Sequence, residues 1–312
     1  MALSLAQPPF SCAPPTVHRL EVREVRCSTL VHELAYRGST GYTVNLYKGC
    51  SHGCVYCYAP SLTHDERRWG SYVDVKTNAP QVLDRELRRL RKDEVFLSSA
   101  SDPYQPVEAR YCITRRCLQA LVRHRFPVSI LTRSPLVLRD LDLLRELEWV
   151  RVGMSITTVP ARRFEPGVPP LRRRIDTLAK LAAAGVTTWV SLAPVIPGIM
   201  MVDLDELFCE LHDAGVASVS FGILKFAGYE ESMKMFEAVT GVSAGDALAG
   251  TKEVEARLSK LVRAYGMEPG ERCGWKPGAE TLQSLDGFLL GSPEPSGDNC
   301  SSGVRQPPGE KS

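Results

Sequence analysis

The sequence lacks the long apolar runs of a membrane protein and the charge excess of a strongly basic or acidic one. None of its apolar runs approaches the roughly 18 residues that a membrane-spanning helix needs. Its first twenty residues, MALSLAQPPFSCAPPTVHRL, lack the basic and apolar segments of a secretory signal. The net charge of the 312 residues is only +2, so no overall field favours a nucleic-acid partner. We therefore expect a cytoplasmic protein without a membrane partner.

The cysteines do not form the pattern of a disulfide framework. Ten occur in 312 residues, of which three are clustered and the others are scattered. This distribution is typical of a reduced, cytosolic protein whose clustered cysteines bind metal. Arginine, by contrast, is locally dense in RELRRLRK (85–92) and RRRID (172–176). For either segment taken alone, we favour the exposed face of a helix over a binding surface.

The two ends of the chain differ in composition from the rest. Residues 1–17 are rich in proline, and residues 291–312 contain Pro, Gly and Ser with almost nothing apolar. Such segments bury too little surface to offset their ordering entropy, so we predict two disordered tails. Between the tails we assign an N-terminal extension (18–41), a core (42–230) and a C-terminal helical extension (231–290).

The core alternates short β-rich runs with helical patterns. Ser134 before Pro135 predicts a helix N-terminus, and Gly185 predicts a C-terminus after an apolar stripe over residues 171–182. A further helical pattern covers residues 247–265. The six predicted strands are TVNLY (43–47), EVFLSS (94–99), PVSILT (127–132), VRVGMSIT (150–157), VTTWVSLAPV (186–195) and ASVSFGIL (217–224). Strand–helix units in series predict a parallel α/β sheet, which we interpret as a partial (β/α)6 TIM-like barrel, with a doubly wound open sheet as the alternative.

The stretch YTVNLYKGCSHGCVYCYAPS (42–61) places Cys50, Cys54 and Cys57 within eight residues, directly after the first predicted strand. A structural zinc site needs four ligands, and the nearest other donors are His52, which is awkwardly placed inside the loop, and His64. A thioredoxin-like CxxC pair leaves one cysteine unexplained. A [4Fe–4S] cluster with one iron free of protein ligands uses three thiolates, so we favour it over zinc.

The C-x3-C-x2-C spacing, with Tyr56 before the last cysteine, resembles the motif of the radical S-adenosylmethionine (SAM) superfamily. Three longer stretches, over residues 98–118, 130–144 and 152–199, are similar to the radical SAM proteins related to spore photoproduct lyase, often described as DNA repair photolyase-like. The resemblance runs from about residue 40 to residue 225, so it implies that 42–230 is a radical SAM core with a barrel of that type. It further implies that the free iron chelates SAM and that reduction releases a 5′-deoxyadenosyl radical.

The resemblance also implies roles for particular residues. A carboxylate opposite the SAM ammonium makes physical sense at Asp102, although Asp before Pro is also common in turns. Ser155 and Thr157 alternate on one strand and therefore share a face. The implied cluster ligands are Cys50, Cys54 and Cys57, and the implied SAM contacts are Tyr56, Ser99, Ser101, Asp102, Ser155, Thr157 and Arg174, with Glu165 a candidate by position. Cys112 and Cys273 are possible counterparts of a hydrogen-donating thiol, against the alternative of inert buried cysteines, and no catalytic residue is assigned.

These observations predict an iron–sulfur enzyme that cleaves SAM reductively to start radical chemistry. We expect a nucleic-acid substrate, as in DNA lesion repair, from the family resemblance and from the arginine-rich segments, which we expect to lie near the barrel rim. Radical modification of a protein or a small metabolite is the alternative substrate class. A non-catalytic zinc- or cluster-binding protein is the alternative of another kind. The chemistry implies an electron donor such as a reductase, flavodoxin or ferredoxin.

Overall fold

The computed structural model describes residues 19–34, 41–158, 164–200, 202–224 and 230–269. The predicted disordered tails, residues 270–290 of the predicted C-terminal extension and Cys273 lie outside the described residues. The predicted domain boundaries stay predictions. Within the described part of the chain, no helix is long and apolar enough to cross a membrane.

The described residues of the first half of the chain form four helices and seven strands, and the strands belong to two sheets. In chain order its elements are β1 (Glu21–Val25), β2 (Val31–Glu33), β3 (Tyr42–Val44), β4 (Tyr47–Lys48), α1 (Ala59–Thr63), β5 (Tyr72–Lys76), α2 (Ala79–Leu87), β6 (Val95–Leu97), α3 (Glu108–Tyr111), α4 (Ile113–Arg123) and β7 (Val128–Thr132). Strands β1, β5 and β4 pair in that order as a separate small sheet. The remaining strands of this half belong to the main sheet.

The second half continues the strand–helix alternation and ends in a helical region. Its elements are a 3₁₀ helix (Pro135–Asp140), α5 (Leu141–Glu146), β8 (Val150–Ile156), α6 (Leu171–Ala183), β9 (Thr187–Val195), a second 3₁₀ helix (Pro197–Ile199), α7 (Leu204–Asp213), β10 (Ser218–Ile223), α8 (Glu230–Thr240), α9 (Ala244–Ala247), α10 (Thr251–Ala264) and β11 (Glu268–Pro269). The helical pattern predicted over residues 247–265 corresponds to α10.

The main sheet has the strand order β11-β10-β9-β8-β7-β6-β3-β2. Every neighbouring pair is parallel except β2 with β3, which is antiparallel. The six predicted strands are β3 and β6 to β10, and they are confirmed. In a doubly wound sheet the strand order reverses at a switch point. Here it advances in one direction without reversal, so the partial barrel is confirmed and the doubly wound alternative is wrong.

The structure differs from the predicted strands in two places, at the first strand and after the last one. The predicted first strand, 43–47, is split: β3 ends at Val44, and the chain passes into the small sheet at Tyr47. Asn45 stabilises this break, because its side chain accepts a hydrogen bond from the amide of Ala100 at 2.8 Å and donates one to the Ser99 hydroxyl at 3.1 Å. At the other end the short strand β11 extends the parallel sheet by one more member.

The predicted helix ends are confirmed by local geometry. The Ser134 hydroxyl accepts a hydrogen bond from the amide of Leu136 at 3.3 Å, as an N-terminal cap does. Gly185 follows α6 with φ at +83°, the left-handed conformation that a glycine adopts at little cost.

Large apolar side chains fill the interior below the carboxyl ends of the strands. Trp189 on β9 is fully buried and lies against Gly153, its partner in register on β8. A Cβ atom added to Gly153 would stand 2.3 Å from the indole ring, so only glycine leaves room for it. The space between β8 and β9 is therefore filled by packing at this level of the barrel.

Candidate active site

A cleft lies over the carboxyl ends of the parallel strands, where α/β folds place their ligands. It encloses about 1040 Å³ of empty space that opens to solvent. Its floor comes from the ends of β6 to β10, and one wall is the loop that follows β4. The residues predicted from the sequence that line it are Cys50, Cys54, Tyr56, Cys57, Ser99, Ser101, Asp102 and Ser155. Thr157 and Arg174 do not line it.

The loop that carries the cysteines is folded back on itself by two glycines. Gly49 and Gly53 have φ angles of +82° and +61°, in the region that other residues rarely adopt. Cys50 and Cys54 are buried and Cys57 is half-buried, and none of them is in a disulfide. Backbone hydrogen bonds from Gly53 to Cys50 and from Cys57 to Cys54 close the turns. All three thiols therefore face one cleft.

Burial gives these thiols an unfavourable setting for charge in the absence of metal. It raises the pKa of Cys50 to about 12 and also raises the pKa values of Cys54 and Cys57. Binding iron as thiolates must therefore displace protons. Among the described residues, no three His, Cys, Asp or Glu side chains converge on a single ion. Thiolates of a cluster bind separate irons and need not converge, so this donor set suits a cluster.

Asp102 already has partners within the protein. Its carboxylate accepts hydrogen bonds from the hydroxyl of Thr132 at 2.6 Å and from the amides of Arg133 and Tyr104 at 2.7 and 2.8 Å. The Nδ1 atom of His52 lies 3.4 Å from it. The bond from Tyr104, two residues further on, is that of a turn-forming aspartate, which the sequence left open as the plain alternative. The bonds from Thr132 and Arg133 tie this turn to the end of β7. Its contact with SAM stays a prediction.

The serines after β6 present polar atoms to the cleft. Ser101 donates to the carbonyl of Tyr47 at 3.4 Å, and the carbonyl of Ser99 accepts a hydrogen bond from Tyr58. Ser98 was missed from the sequence: it is buried, lines the cleft and has φ at +64°. Its hydroxyl has no hydrogen-bond partner within the described part of the chain. A residue with a strained backbone and an unsatisfied hydroxyl at the border of a cleft is a candidate for contact with a ligand.

The residues predicted on β8 and α6 take different positions. Ser155 and Thr157 donate to the carbonyls of Ala193 and Pro194 at 3.4 and 2.8 Å, which ties the ends of β8 and β9 together. Arg174 lies behind the cleft, fully buried, and donates to the carbonyl of Ser155 at 2.7 Å. It therefore supports the end of β8, and its contact with SAM stays a prediction.

Arg133, which the sequence reasoning did not single out, is the one Lys or Arg side chain among the described residues that line this cleft. It follows β7, lines the cleft and lowers the pKa of Cys54, which burial raises. Although burial alone would lower the pKa of the Arg133 guanidinium, the surrounding Cys54, Tyr56 and Glu165 raise it. The signal in the sequence was its place at the end of a strand within the stretch ILTRSP.

Glu165 is held by partners on three sides. The Tyr56 hydroxyl donates to it, Arg133 Nε donates at 3.3 Å, and Arg174 Nη2 donates at 2.9 Å. Burial opposes its charge, yet the two arginines outweigh burial and hold the pKa of Glu165 below its ordinary value. The neighbouring backbone also binds the cysteine loop: the amide of Val55 donates to Phe164 at 3.0 Å. We call residues 164–168 the clamp segment.

The loop before β5 packs on the other side of the cysteine loop. Gly70 touches Gly53 so closely that a Cβ atom on Gly70 would stand 2.9 Å from the Gly53 Cα. Trp69, beside it, lines the cleft together with Tyr58 and Phe96. Within the part of the chain that the structure describes, the cleft therefore combines three thiols and an arginine with aromatic walls.

The two arginine-rich segments do not share a surface. The segment 85–92 ends α2 and leads into the start of β6, at the edge of the sheet opposite the cleft. Arg172 and Arg173 begin α6 on the side of the cleft and are exposed, and Arg172 pairs with Asp176 and Glu210. The expectation that both segments lie near the rim is wrong for 85–92, because α2 ends on the opposite side. Cys112, half-buried at the end of α3, does not line the cleft either.

Three thiols of one loop over the carboxyl ends of a partial barrel define an iron–sulfur enzyme of the radical SAM class. Residues 44–211, more than half of the chain, match the radical SAM superfamily. The chain therefore belongs to the radical SAM superfamily, as the cysteine motif predicted. Its cofactors are a [4Fe–4S] cluster and S-adenosylmethionine.

The chain is similar to proteins of several sources. An uncharacterised protein of Methanocaldococcus jannaschii is 32% identical over 190 residues, which cover 59% of this chain and 71% of that protein. A protein of Pseudomonas phage M6 named radical SAM Nα-GlyT isomerase is 30% identical over 195 residues, or 60% of this chain and 40% of that protein. Spore photoproduct lyase complexed with dinucleoside spore photoproduct superposes with a TM-score of 0.57 at 19% identity, covering 78% of each chain. This last likeness shows the fold.

Proposed function

We propose that this enzyme holds its cluster through Cys50, Cys54 and Cys57 and cleaves SAM reductively to a 5′-deoxyadenosyl radical. The observation that carries the proposal is the convergence of these three thiols on one cleft at the carboxyl ends of the strands. When bound and reduced, the cluster supplies the electron that breaks a carbon–sulfur bond of SAM. A structural zinc protein has no use for an open cleft over its site, since structural zinc sites are closed by their four ligands.

The residues around the thiols bind and orient the cofactors. Arg133 beside Cys54 offsets the negative charge that thiolates bring into a buried site. Ser98, Ser99 and Ser101 offer hydroxyls to the polar groups of SAM, since they border the same cleft. Tyr56 lines the cleft beside the cysteines, and its hydroxyl is held by Glu165. Arg174 does not reach the cleft; it supports the site indirectly, because its hydrogen bond to the Ser155 carbonyl fixes the end of β8.

For the substrate we propose a nucleic acid or a piece of one, modified as in the repair of a DNA lesion. Spore photoproduct lyase has been solved with a dinucleoside spore photoproduct bound, and the phage relative is named for an Nα-GlyT isomerisation. The aromatic side chains of Tyr58, Trp69 and Phe96 line the cleft and offer faces on which a base stacks. Arg173, exposed at the start of α6, is placed to meet a phosphate.

The radical reaction is tested on anaerobically reconstituted protein given dithionite and SAM. Iron, sulfide and 5′-deoxyadenosine are quantified for the wild type and for Cys54→Ala. Cys209→Ala, which alters an exposed cysteine on α7, is the matched control. We expect about four irons per chain in the wild type and the control, and 5′-deoxyadenosine from these two alone. Zinc in place of iron, or a reduced cluster that leaves SAM intact, contradicts the proposal.

The substrate class is tested separately by binding. Intact and ultraviolet-damaged duplex and single-stranded DNA are titrated at several salt concentrations, and the slope of log affinity against log salt is measured. A nucleic-acid substrate gives a slope that counts its phosphate contacts, and Arg173→Ala reduces that slope by about one contact. Binding that does not vary with salt favours a protein or metabolite substrate and leaves the radical reaction standing.

A further inference from the structure

We propose that the clamp segment positions the cysteine loop before any iron binds, and that Glu165 and Arg133 act with opposite sign on the charge that the cluster experiences. This inference rests on the proposed function, since it concerns the cluster of that site. It assigns Glu165 and Arg133 as positioning residues, and it assigns no bond-making step to either of them. Its tests include one on metal-free protein, so it can fail while the proposed function stands.

The clamp segment grips the cysteine loop at two backbone positions. The amide of Val55 donates to the carbonyl of Phe164, and the amide of Gly167 donates to the carbonyl of His52, each at 3.0 Å. These two hydrogen bonds lie on either side of Cys54. A Cβ atom at Gly167 would stand 2.5 Å from the carbonyl oxygen of Ser51, so the two backbones are in direct contact. The loop is thereby fixed from outside its own turns.

Glu165 anchors the clamp segment from below. It is only 1% exposed, and its carboxylate reaches the cysteine loop through the hydroxyl of Tyr56. Arg174 holds the same carboxylate from behind at 2.9 Å, and Arg174 in turn holds the end of β8 at Ser155. The position of the loop is therefore transmitted to the barrel through one buried carboxylate. Loss of that carboxylate frees the loop and leaves the buried Arg174 and the half-buried Arg133 with one partner fewer each.

The same carboxylate and Arg133 form a pair of opposite charges beside the thiols. Arg133 lines the cleft, whereas Glu165 is buried one layer behind it, 3.3 Å from Arg133 Nε. A one-electron reduction adds one negative charge to the cluster. A nearby positive charge stabilises the reduced form and raises the reduction potential, and a nearby negative charge lowers it. Removing Glu165 must therefore raise the potential, and removing the charge of Arg133 must lower it.

The first test uses metal-free protein and measures amide hydrogen exchange in peptides that span residues 50–57. Glu165→Gln keeps the shape of the side chain and removes its charge. We expect hydrogen exchange of the Val55 amide to become about tenfold faster. The Phe164 carbonyl that accepts from this amide belongs to the clamp segment, and the charged hydrogen bonds of Glu165 hold that segment in place. Glu146→Gln, at an exposed position on α5, is the matched control and leaves the exchange unchanged. Equal exchange in Glu165→Gln and wild type overturns the positioning role.

The second test measures the reduction potential by spectroscopic titration of reconstituted Glu165→Gln, Arg133→Gln and Glu146→Gln. We expect the potential to rise in the first variant, fall in the second and stay in place in the third. A general loosening of the site moves both variants in one direction, so shifts of the same sign overturn the electrostatic role. If a neutral variant fails to hold iron, Glu165→Asp or Arg133→Lys is measured in its place. Each keeps the charge of the residue it replaces, so its potential should stay close to that of the wild type, and a large shift overturns the electrostatic role.

Discussion

Gly167→Ala is the substitution whose outcome the structure specifies most directly. The clamp segment approaches the cysteine loop so closely that the new Cβ atom would stand 2.5 Å from the Ser51 carbonyl oxygen and 2.9 Å from the His52 Cα. Both contacts are with backbone, so no flexible side chain can turn away. The clamp segment must move outward, and its hydrogen bond to the His52 carbonyl lengthens or breaks.

The magnitude follows from three effects. Overpacking costs about 1–3 kcal/mol, and the low end applies because Gly167 is exposed and the segment can shift outward. The lost hydrogen bond adds about 1 kcal/mol. The smaller conformational entropy of the unfolded alanine chain offsets about 0.5 kcal/mol. The free energy of unfolding should therefore fall by about 1–2 kcal/mol, which corresponds to a Tm lower by about 2–8 °C.

Calorimetric or urea unfolding of the metal-free variant measures this loss, and iron binding after reconstitution measures its effect on the site. Gly245→Ala is the matched control, because its nearest neighbour is the Ser243 hydroxyl at 3.8 Å and it lies in the short helix α9. That control should be as stable as the wild type or slightly more stable. A Gly167→Ala protein with wild-type stability and full iron content would refute the close approach and the clamp with it.

Three further predictions concern acid stability, core packing and thiol reactivity. Since the folded protein holds the pKa of Glu165 below its ordinary value of 4.5, its contribution to stability is present above that pH and is lost as the pH falls through the folded pKa. The stability difference between wild type and Glu165→Gln should accordingly shrink between about pH 6 and pH 3 in urea titrations, and a difference that grows on acidification contradicts the assignment. Gly153→Ala should cost about 1–3 kcal/mol, because its methyl group overlaps the buried Trp189 ring; an unchanged unfolding midpoint would show that the ring has room. In metal-free protein at pH 7, iodoacetamide should label the exposed Cys209 well before Cys50, because a pKa of about 12 leaves about one Cys50 thiolate in 10⁵. Mass spectrometry after timed quenching measures the order of labelling. Early labelling of Cys50 would contradict its buried setting.

The strands of the barrel could be predicted because each is a short, nearly continuous apolar run covered on both faces. The small sheet of β1, β5 and β4 could not. Its central strand β5 has the sequence YVDVK, in which Asp74 interrupts the apolar pattern although the residue is buried. Arg67 explains this burial, since its guanidinium donates to both carboxylate oxygens of Asp74 at 2.7 and 2.8 Å. A charge pair made seven residues away leaves no periodic signal.

The site shows the same division between local and long-range information. The cysteines are adjacent in sequence, so their spacing carries the motif. Arg133 and Glu165 meet Tyr56 only after the chain has passed through several strands, and neither belongs to a spacing that elementary chemistry recognises. Asp102 and Arg174 were identified by position, yet their side chains are taken up by other groups of the protein. The position of such a residue in the sequence therefore predicted where in the fold it lies. It did not predict which groups its side chain contacts.

The contact between Gly53 and Gly70 bears on how this motif can be transferred to other scaffolds. At that contact two backbones touch with no side chain between them, and Gly70 has φ at +88°. A designer who grafts the cysteine loop alone would transplant the ligands without the surface that shapes them. The transferable unit is three separated pieces of chain, namely the cysteine loop, the turn before β5 and the clamp segment. Tolerance to insertion in the α1–β5 connection should accordingly end before Trp69, even though much of that connection lies at the surface.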